Sequence, residues 1–240
     1  MARTRKKTAK QKAESPEAPA VTEEQIKEQE TIPVEPIFGV SIPKEDMAAL
    51  PAAPFRGEIT LVDHPEQVAE AVTVLRRAEM IGFDTETRPS FKRGQLFNVA
   101  LLQLSAGDRC FLIRLNKIGM PEPIREILED PAIIKIGLST HDDFRNLHKL
   151  YQLEPAGFIE LQDYVKQFKI ADNSLTRIHS ILFGLRISKG QRLTNWEADT
   201  LTIHQQEYAA LDATACVEIY RRLHSGVFEP ESSPYWRQIN

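Results

Sequence analysis

The sequence predicts an α/β fold, with one sheet flanked by helices in a single domain. Short apolar runs rich in strand-forming residues alternate with longer stretches of helical spacing. The turn-forming residues Ala106-Gly107-Asp108 lie between two of these runs, as in a β-hairpin. At 240 residues and 42% hydrophobic content, the chain has room for one sizeable core and a tail.

Five strands and six helical segments are predicted. The strands are Ile59–Val62, Ile81–Glu86, Val99–Leu104, Cys110–Leu115 and Ile133–Ile136. The helical segments are Pro65–Glu79, Pro121–Leu128, Asp142–Tyr151, Leu161–Phe168, Ser174–Phe183 and His204–Leu223. Ser174 is a candidate N-cap, and Gly184 is a candidate terminator of the same helix. The second, third and fourth strands are expected to be adjacent, with at least two of them antiparallel.

The ends of the chain differ from this pattern. Residues 1–36 are basic and then acidic with few large apolar side chains, which predicts a disordered charged tail. The tail is either a tether that attracts phosphates or a solubilising segment. Residues 37–56, with three prolines, are expected to form an extended lead-in. The folded domain is predicted over 57–224, followed by a C-terminal extension over 225–240.

Hydrophobicity, charge and cysteine content limit the classes of protein to which the chain can belong. No apolar run reaches the roughly 18 residues that a membrane span needs, so no membrane partner is expected. A formal net charge of −4 excludes a wholly basic nucleic-acid-binding surface but allows a local cationic groove. The only two cysteines, Cys110 and Cys216, are far apart beside apolar or small residues. We expect buried, reduced thiols in a cytoplasmic protein.

The stretch around Asp84 and Glu86 carries the first chemical signal. Residues i and i+2 of a strand point to the same face, so the two carboxylates are predicted to lie side by side. Two such charges in a buried strand repel each other unless a proton or a metal ion intervenes. The motif alone is weak, because Asp-x-Glu also occurs on solvated strand faces.

Two further acidic positions are candidates for the same site. Asp143 is predicted in the first turn of the helix after the strand ending at Ile136, at the crevice beyond the strand ends where ligands collect in α/β folds. Charge alone does not separate Asp143 from Asp142, since acids in a first helical turn are commonly structural. Tyr208 and Asp212, at i and i+4 of the last helix, share an otherwise apolar face. An ionised Asp212 there needs a partner or a metal.

Four carboxylates without cysteine or histidine at ligand spacing favour hard cations. Mg²⁺ or Mn²⁺ is therefore expected before Zn²⁺. Two such ions support phosphoryl transfer, in which they flank the attacking and leaving oxygens. Tyr208, with an ordinary phenol pKa of about 10, is assigned to orienting water rather than to full base catalysis. Structural roles are assigned to His141, His179 and His204.

In this ordered set the sequence resembles the DEDDy branch of the 3′-5′ exonucleases, the superfamily of ribonuclease D and the Werner-syndrome exonuclease domain. Phe83-Asp84-Thr85-Glu86 is similar to the first motif of the family, and Lys135 through Leu147 to the second, where the spacing from Gly137 selects Asp143. Tyr208-Ala209-Ala210-Leu211-Asp212 is similar to the third. Residues 189–197 and Gln205 resemble the segment that precedes it.

The resemblance implies a ribonuclease H-like mixed β-sheet flanked by α-helices. It also implies Asp84, Glu86, Asp143 and Asp212 as ligands of two divalent cations, Mg²⁺ or Mn²⁺, with Tyr208 completing the catalytic set. The implied activity is release of nucleoside 5′-monophosphates from nucleic acid, DNA or RNA, with a free 3′ end. Sequence segments that match the helical nucleic-acid-binding domains of ribonuclease D or a helicase are not found.

Substrate contacts are predicted at lower specificity. Thr87 and Arg88 adjoin the first motif, and Lys189 and Arg192 lie in a cationic stretch, although surface solvation explains these basic residues equally well. Phe144 or Trp196 is either a stacking platform for a base or a core residue, and the core interpretation is preferred. Two alternative functions stay open: a non-catalytic nucleic-acid-binding module that keeps the fold, and an endonuclease of the wider ribonuclease H-like group.

Overall fold

Six strands form one mixed sheet at the centre of residues 36–239, the part of the chain that this computed structural model describes. Their order is β2-β5-β4-β3-β6-β7, and β1 and β8 form a separate antiparallel pair. The strands are β1 Phe38–Val40, β2 Glu58–Val62, β3 Met80–Thr87, β4 Val99–Ala106, β5 Arg109–Ile113, β6 Ile134–Gly137, β7 Phe158–Glu160 and β8 Trp236–Gln238. The predicted mixed sheet flanked by helices is confirmed.

Eight α-helices accompany the strands within the described residues. They are α1 Lys44–Ala49, α2 Val68–Leu75, α3 Leu115–Ile118, α4 Glu122–Glu129, α5 Thr140–Leu147, α6 Leu161–Tyr164, α7 Leu175–Phe183 and α8 Ile203–His224. Helix α8 begins with a capping box in which Thr202 and Gln205 satisfy each other's backbone amides. Helix α7 ends at Gly184 in the left-handed conformation, as the sequence predicts.

The antiparallel part of the sheet follows the predicted order. Strand β4 pairs antiparallel with both β3 and β5, whereas β2 joins β5 in parallel and β6 joins β3 in parallel. The β4–β5 hairpin closes through Gly107 and Asp108, and Gly107 adopts a φ of 63° that favours glycine. The β3–β6 ladder stops at Gly82, so the last five residues of β3 extend past the end of β6.

Both faces of the sheet are buried, which explains why its strands are almost continuously apolar. One face packs on α2 and α4 through a core that includes Leu75, Phe83, Leu104 and Ile127. The other face packs against α8, where small residues allow close approach; they are Ala209, Ala210 and Ala213. Helix α8 therefore lies directly over the strand that carries the Asp-x-Glu pair.

Several predicted boundaries shift because local structure intervenes. The segment from Pro65 starts as a 3₁₀ turn and is α-helical only over Val68–Leu75. Helix α5 begins at Thr140 and ends at Leu147, four residues before the predicted end. Residues 161–168 divide into α6 and a 3₁₀ turn. Strand β7 has three half-buried residues and was not predicted, since so short a run carries no periodicity.

The lead-in and the C-terminal extension are more structured than predicted. Residues 37–56 were expected to be extended, yet they contain β1 and the short helix α1. Strand β8, in the predicted extension, pairs antiparallel with β1, and Val40 and Ile42 are fully buried. The pairing partners are nearly 200 residues apart in the sequence, so no local pattern reports them.

Three further predictions concern the N-terminal tail, the two cysteines and membrane-spanning helices. The predicted tail falls on residues 1–36, of which 1–35 lie outside the described residues. Cys110 and Cys216 are buried and unpaired, as expected; a cytoplasmic location stays a prediction. Within 36–239, none of the helices has the length and apolarity required to cross a membrane.

Lys135 is a buried cation that stabilises the end of α4. Its Nζ donates hydrogen bonds to the backbone oxygens of Ile127 (3.0 Å) and Asp130 (2.6 Å), where a helix leaves carbonyls unpaired. Burial lowers the pKa of Lys135 from 10.5 to about 8. Because the folded state releases this proton more easily than the unfolded state does, stability from Lys135 rises as the pH increases from about 8 towards 10.5.

Replacing Lys135 with methionine is therefore expected to remove a pH dependence as well as two hydrogen bonds. Between pH 7 and pH 9.5, the unfolding free energy of the parent should gain about 2 kcal/mol relative to Lys135→Met. Urea unfolding at the two pH values measures this difference. An exposed lysine replaced in the same way, Lys44→Met, serves as the control. Parallel pH profiles for Lys135→Met and the parent would contradict the assignment.

Candidate functional site

Strand β3 separates its side chains between the two faces of the sheet. Phe83 points into the core beneath α2 and α4, whereas Gly82, Asp84 and Glu86 alternate with it and face α8. A Cβ atom added to Gly82 would overlap the backbone oxygen of Ala213 and the hydroxyl of Ser105. Glycine at this position lets α8 approach the strand closely. The next residue back along α8, Asp212, is thereby brought to the carboxylates of β3.

Asp84, Glu86 and Asp212 converge as predicted. One carboxylate oxygen from each lies within 4.8 Å of the others, and Asp212 and Glu86 are only 7% and 9% exposed. Two come from neighbouring positions on one strand and the third from a helix about 126 residues later. Three carboxylates at this separation form a site whose oxygen-rich chemistry suits a hard divalent cation.

Burial raises the pKa values of the three converging carboxylates. Burial and the Asp212 carboxylate raise the pKa of Asp84 well above its ordinary value. Burial together with Asp84 and Asp212 raises the pKa of Glu86 to about 10. Burial raises the pKa of Asp212 to about 7, although a hydrogen bond from Tyr208 and the charge of Lys189 act in the opposite direction. A bound cation would supply the missing compensation.

Gln103 gives independent support for a bound polar group. It is the cross-strand partner of Asp84 on β4 and is fully buried. Both of its amide atoms lack hydrogen-bond partners among the described residues. Buried amides are almost always paired, so a polar group beside Asp84 would complete this layer. The residues present therefore fit a hydrated metal ion, and sequence reasoning missed Gln103 because a strand glutamine has no motif.

Asp143 lies at the edge of this group, against Thr85 of β3. Its Oδ1 accepts a hydrogen bond from the Thr85 hydroxyl at 2.5 Å, and Thr85 alternates with Asp84 and Glu86 on the strand. Burial and the nearby Asp84 charge raise the pKa of Asp143 to about 8. The structure thus brings Asp143 next to Asp84 but not into the group of three converging carboxylates. Asp142 is exposed and pairs with Arg145 at 2.8 Å, which separates the two neighbouring acids.

Tyr208 lies one helical turn before Asp212, and its hydroxyl donates a hydrogen bond to that carboxylate. Burial, followed by the charges of Asp212 and Glu86, raises the pKa of Tyr208 above its ordinary value of 10. The phenol is therefore protonated near neutral pH. With its proton donated to Asp212, the hydroxyl oxygen can accept a hydrogen bond from a polar group, and the water-orienting role expected from the sequence stays a prediction.

Glu160, which the sequence analysis missed, positions the start of α5. Its carboxylate accepts hydrogen bonds from the backbone amides of Ser139 (2.9 Å), Thr140 (2.7 Å) and Gln162 (2.9 Å), and from the Thr140 hydroxyl. Ser139 adopts a left-handed φ of 66°, which is uncommon for a residue with a side chain. Glu160 holds this turn and so fixes the helix that presents Asp143. The only available signal was its position at the end of β7, a strand that the sequence pattern did not reveal.

A cavity of about 420 Å³ opens beside the carboxylates. Its lining includes the cations Lys189 and Arg192 and the polar residues Ser139 and Gln162. The charge of Arg192 lowers the pKa of Glu86, acting against burial and the neighbouring carboxylates. Gln205 Nε2 donates to Thr194 Oγ1 at 3.0 Å and to the Asn195 oxygen at 3.3 Å. The start of α8 thereby holds the segment that carries both cations.

The remaining predicted contacts divide between surface and core. Thr87 is the half-buried last residue of β3. Arg88 pairs with Glu197 at 3.3 Å and lies 4.7 Å from the centre of the Phe97 ring. Phe144 packs between Phe83 and Phe158 in an aromatic cluster, with ring centroids at 5.6 and 4.8 Å. Trp196 is fully buried against α8. The core interpretation therefore holds for both aromatic residues.

The three histidines considered from sequence lie apart from the carboxylate group. His179 is buried, and its Nδ1 is 3.0 Å from the Leu185 oxygen. His204 is exposed beside Glu207 at the start of α8, with 3.6 Å between Nδ1 and Oε2. His141 is exposed on α5. The structure places none of these three among the converging ligands.

Comparison with known proteins finds relatives that are named as 3′-5′ exonucleases. The bifunctional 3′-5′ exonuclease/ATP-dependent helicase WRN of Mus musculus is 30% identical over 155 residues, covering 62% of this chain and 11% of that protein. A 3′-5′ exonuclease of Arabidopsis thaliana is 29% identical over 189 residues, covering 72% of this chain and 66% of that protein. The chain thus spans between about a tenth and two thirds of these relatives.

Among solved structures, the Trypanosoma brucei RNase D complex with RNA U12 has the same fold. Its TM-score is 0.62 at 21% sequence identity, and the match covers 75% of this chain and 65% of that one. A family model described as 3′-5′ exonuclease matches residues 59–227, which include all five residues of the predicted catalytic set. The chain therefore belongs to the 3′-5′ exonuclease family of hydrolases.

Proposed function

We propose that the protein is a metal-dependent 3′-5′ exonuclease that releases nucleoside 5′-monophosphates from nucleic acid with a free 3′ end, DNA or RNA. The observation that carries this proposal is the convergence of the carboxylates of Asp84, Glu86 and Asp212. Family membership gives the class of reaction, and the relative solved with RNA supports a nucleic-acid substrate.

Asp84, Glu86 and Asp212 are the proposed metal ligands, with Asp143 as the fourth carboxylate beside Asp84. We propose two divalent ions, Mg²⁺ or Mn²⁺, which supply Lewis-acid activation of water and of the scissile phosphate. Tyr208, whose hydroxyl donates to Asp212, would accept a hydrogen bond from the attacking water and so orient it. Lys189 and Arg192 neutralise phosphate charge in the adjoining cavity.

The test compares a linear strand with a free 3′ hydroxyl with a closed circle of the same sequence. With Mg²⁺ or Mn²⁺, a 5′-labelled linear strand should shorten stepwise to a ladder, whereas the circle should stay intact. A chelator should stop the reaction. DNA and RNA versions of both substrates determine which sugar is accepted. Cleavage of the circle would instead indicate an endonuclease, and binding without shortening in either metal would indicate a non-catalytic module.

A further inference from the structure

A second cavity of about 400 Å³ lies outside the proposed active site. It is formed where the loop after β3 meets the segment before α8, and its lining includes Arg88, Phe91, Lys92 and Leu193. We call this surface the loop platform and define it as residues 88–97 together with 193–195.

The loop platform exposes large apolar side chains to solvent. Phe91 is 80% exposed, Leu96 81% and Leu193 63%, and these are among the most exposed large hydrophobic residues in the described chain. Single exposed apolar residues are common, but three in adjoining segments mark an interaction surface. Two hydrogen bonds hold a bend at the tip of the loop, where the Phe91 ring is exposed. The Lys92 backbone oxygen accepts from Gln95 N at 3.2 Å and from Ser90 Oγ at 3.0 Å.

Basic residues accompany these apolar side chains. Lys92 and Arg93 are exposed at the tip of the loop, and Arg88 lies at its base. Arg88 is paired with Glu197, but no ion pair within the described residues involves Lys92 or Arg93. The protein as a whole has a formal charge of −4, so this is a local reversal of sign. Exposed cations interleaved with an aromatic ring suit a polyanion that carries flat bases.

The loop platform adjoins the active-site cavity, which indicates the path that a bound strand would follow. One short segment serves both cavities: Lys189 and Arg192 line the cavity of the carboxylates, whereas Leu193 and Asn195 line the loop platform. The platform also follows β3 directly, within a few residues of Glu86. A strand whose 3′ terminus lies at the carboxylates can therefore continue onto the platform.

We propose that the loop platform binds the single-stranded nucleic acid that precedes the 3′-terminal nucleotide. Phe91 stacks on a base, and Lys92 and Arg93 contact phosphates. This inference rests on the proposed function for the position of the 3′ end, but it assigns a separate binding surface. Affinity for long strands should therefore depend on residues that lie outside the active-site cavity.

The test measures binding in an Asp84→Asn background, so that the strand is not consumed. Fluorescence anisotropy with a 5′-labelled 12-nucleotide strand should show about tenfold weaker binding for Phe91→Ala, within the range expected for the loss of one stacked base. Leu150→Ala, another exposed apolar residue, is the matched control and should stay within twofold of the background protein.

Two further measurements separate stacking from charge. Strands with one abasic position, moved stepwise from the 3′ end, should remove the Phe91→Ala effect at one position only. The double variant Lys92→Ala/Arg93→Ala should reduce the slope of log Kd against log salt by about 1.4, since each single-strand phosphate contact contributes about 0.7. Lys44→Ala is the control for the loss of an exposed cation.

The inference is overturned if Phe91→Ala binds within twofold of the background protein, if its loss is the same at every abasic position, or if polyglutamate of equal charge displaces the strand equally well. The last result would indicate an acidic protein partner. Failure of the proposed function gives a different result: the unmodified protein would leave 3′-hydroxyl strands at full length in Mg²⁺ and Mn²⁺. In that case the binding measurements still determine whether the loop platform binds single-stranded nucleic acid.

Discussion

Asp84→Asn is expected to lower the rate of 3′-end digestion by about 10³-fold or more and, at the same time, to stabilise the metal-free protein. The loss of rate follows because a ligand of the proposed ions contributes several kcal/mol to stabilising charge in the transition state. Asparagine has the same shape as aspartate but carries no charge, so the change isolates the electrostatic contribution.

The gain in stability follows from the pKa of Asp84. Burial and Asp212 raise this pKa well above its unfolded value, so the folded state disfavours the ionised carboxylate more than the unfolded state does. Such a group destabilises the folded state increasingly as the pH rises. Asp84→Asn should therefore raise the unfolding free energy of the metal-free protein at pH 7, and by less at pH 4.

Chemical unfolding with and without Mn²⁺, together with the digestion assay, measures both effects. Metal should raise the stability of the parent because it binds the folded state, and this increment should be absent or much smaller in Asp84→Asn. Asp142→Asn is the matched control, because Asp142 is an exposed acid with a salt bridge to Arg145 on the outer side of α5. An Asp84→Asn protein that digests strands at the parent's rate would refute the proposed site.

Gly82→Ala is expected to have the largest effect on folding. The new Cβ would overlap the Ala213 backbone oxygen and the Ser105 hydroxyl, and a backbone atom of a long helix cannot move aside alone. Helix α8 would have to shift away from β3 or the strand would have to distort. Overpacking of this kind is expected to cost about 3 kcal/mol or more in unfolding free energy.

The same displacement should weaken metal binding, since Asp212 and Tyr208 lie on α8 whereas Asp84 and Glu86 lie on β3. Urea unfolding and the stabilisation produced by Mn²⁺ are the two measurements. Gly190→Ala is the control for stability, because its added Cβ would meet only the Ser188 hydroxyl at 3.5 Å, an ordinary contact. Equal unfolding free energies for the two alanine variants would contradict the close approach of α8 to β3.

Much of the central fold is predictable because its signals are local. The hairpin at Gly107 and Asp108 is encoded by turn residues between apolar runs, and the end of α7 by Gly184. The pairing of β1 with β8 is different, because it joins the two ends of the described chain. Three-residue strands have neither the length nor the periodicity to be recognised without their partners.

The sequence alone determines which carboxylates are candidates, because strand alternation places Asp84 beside Glu86 and helical spacing places Tyr208 beside Asp212. Only the tertiary structure decides how they meet. Gly82 lets α8 deliver Asp212 to the group, while Asp143 is held beside the group by the Thr85 hydroxyl. The physical reason is that periodicity fixes directions within one element, whereas contacts between elements depend on packing across the whole sheet.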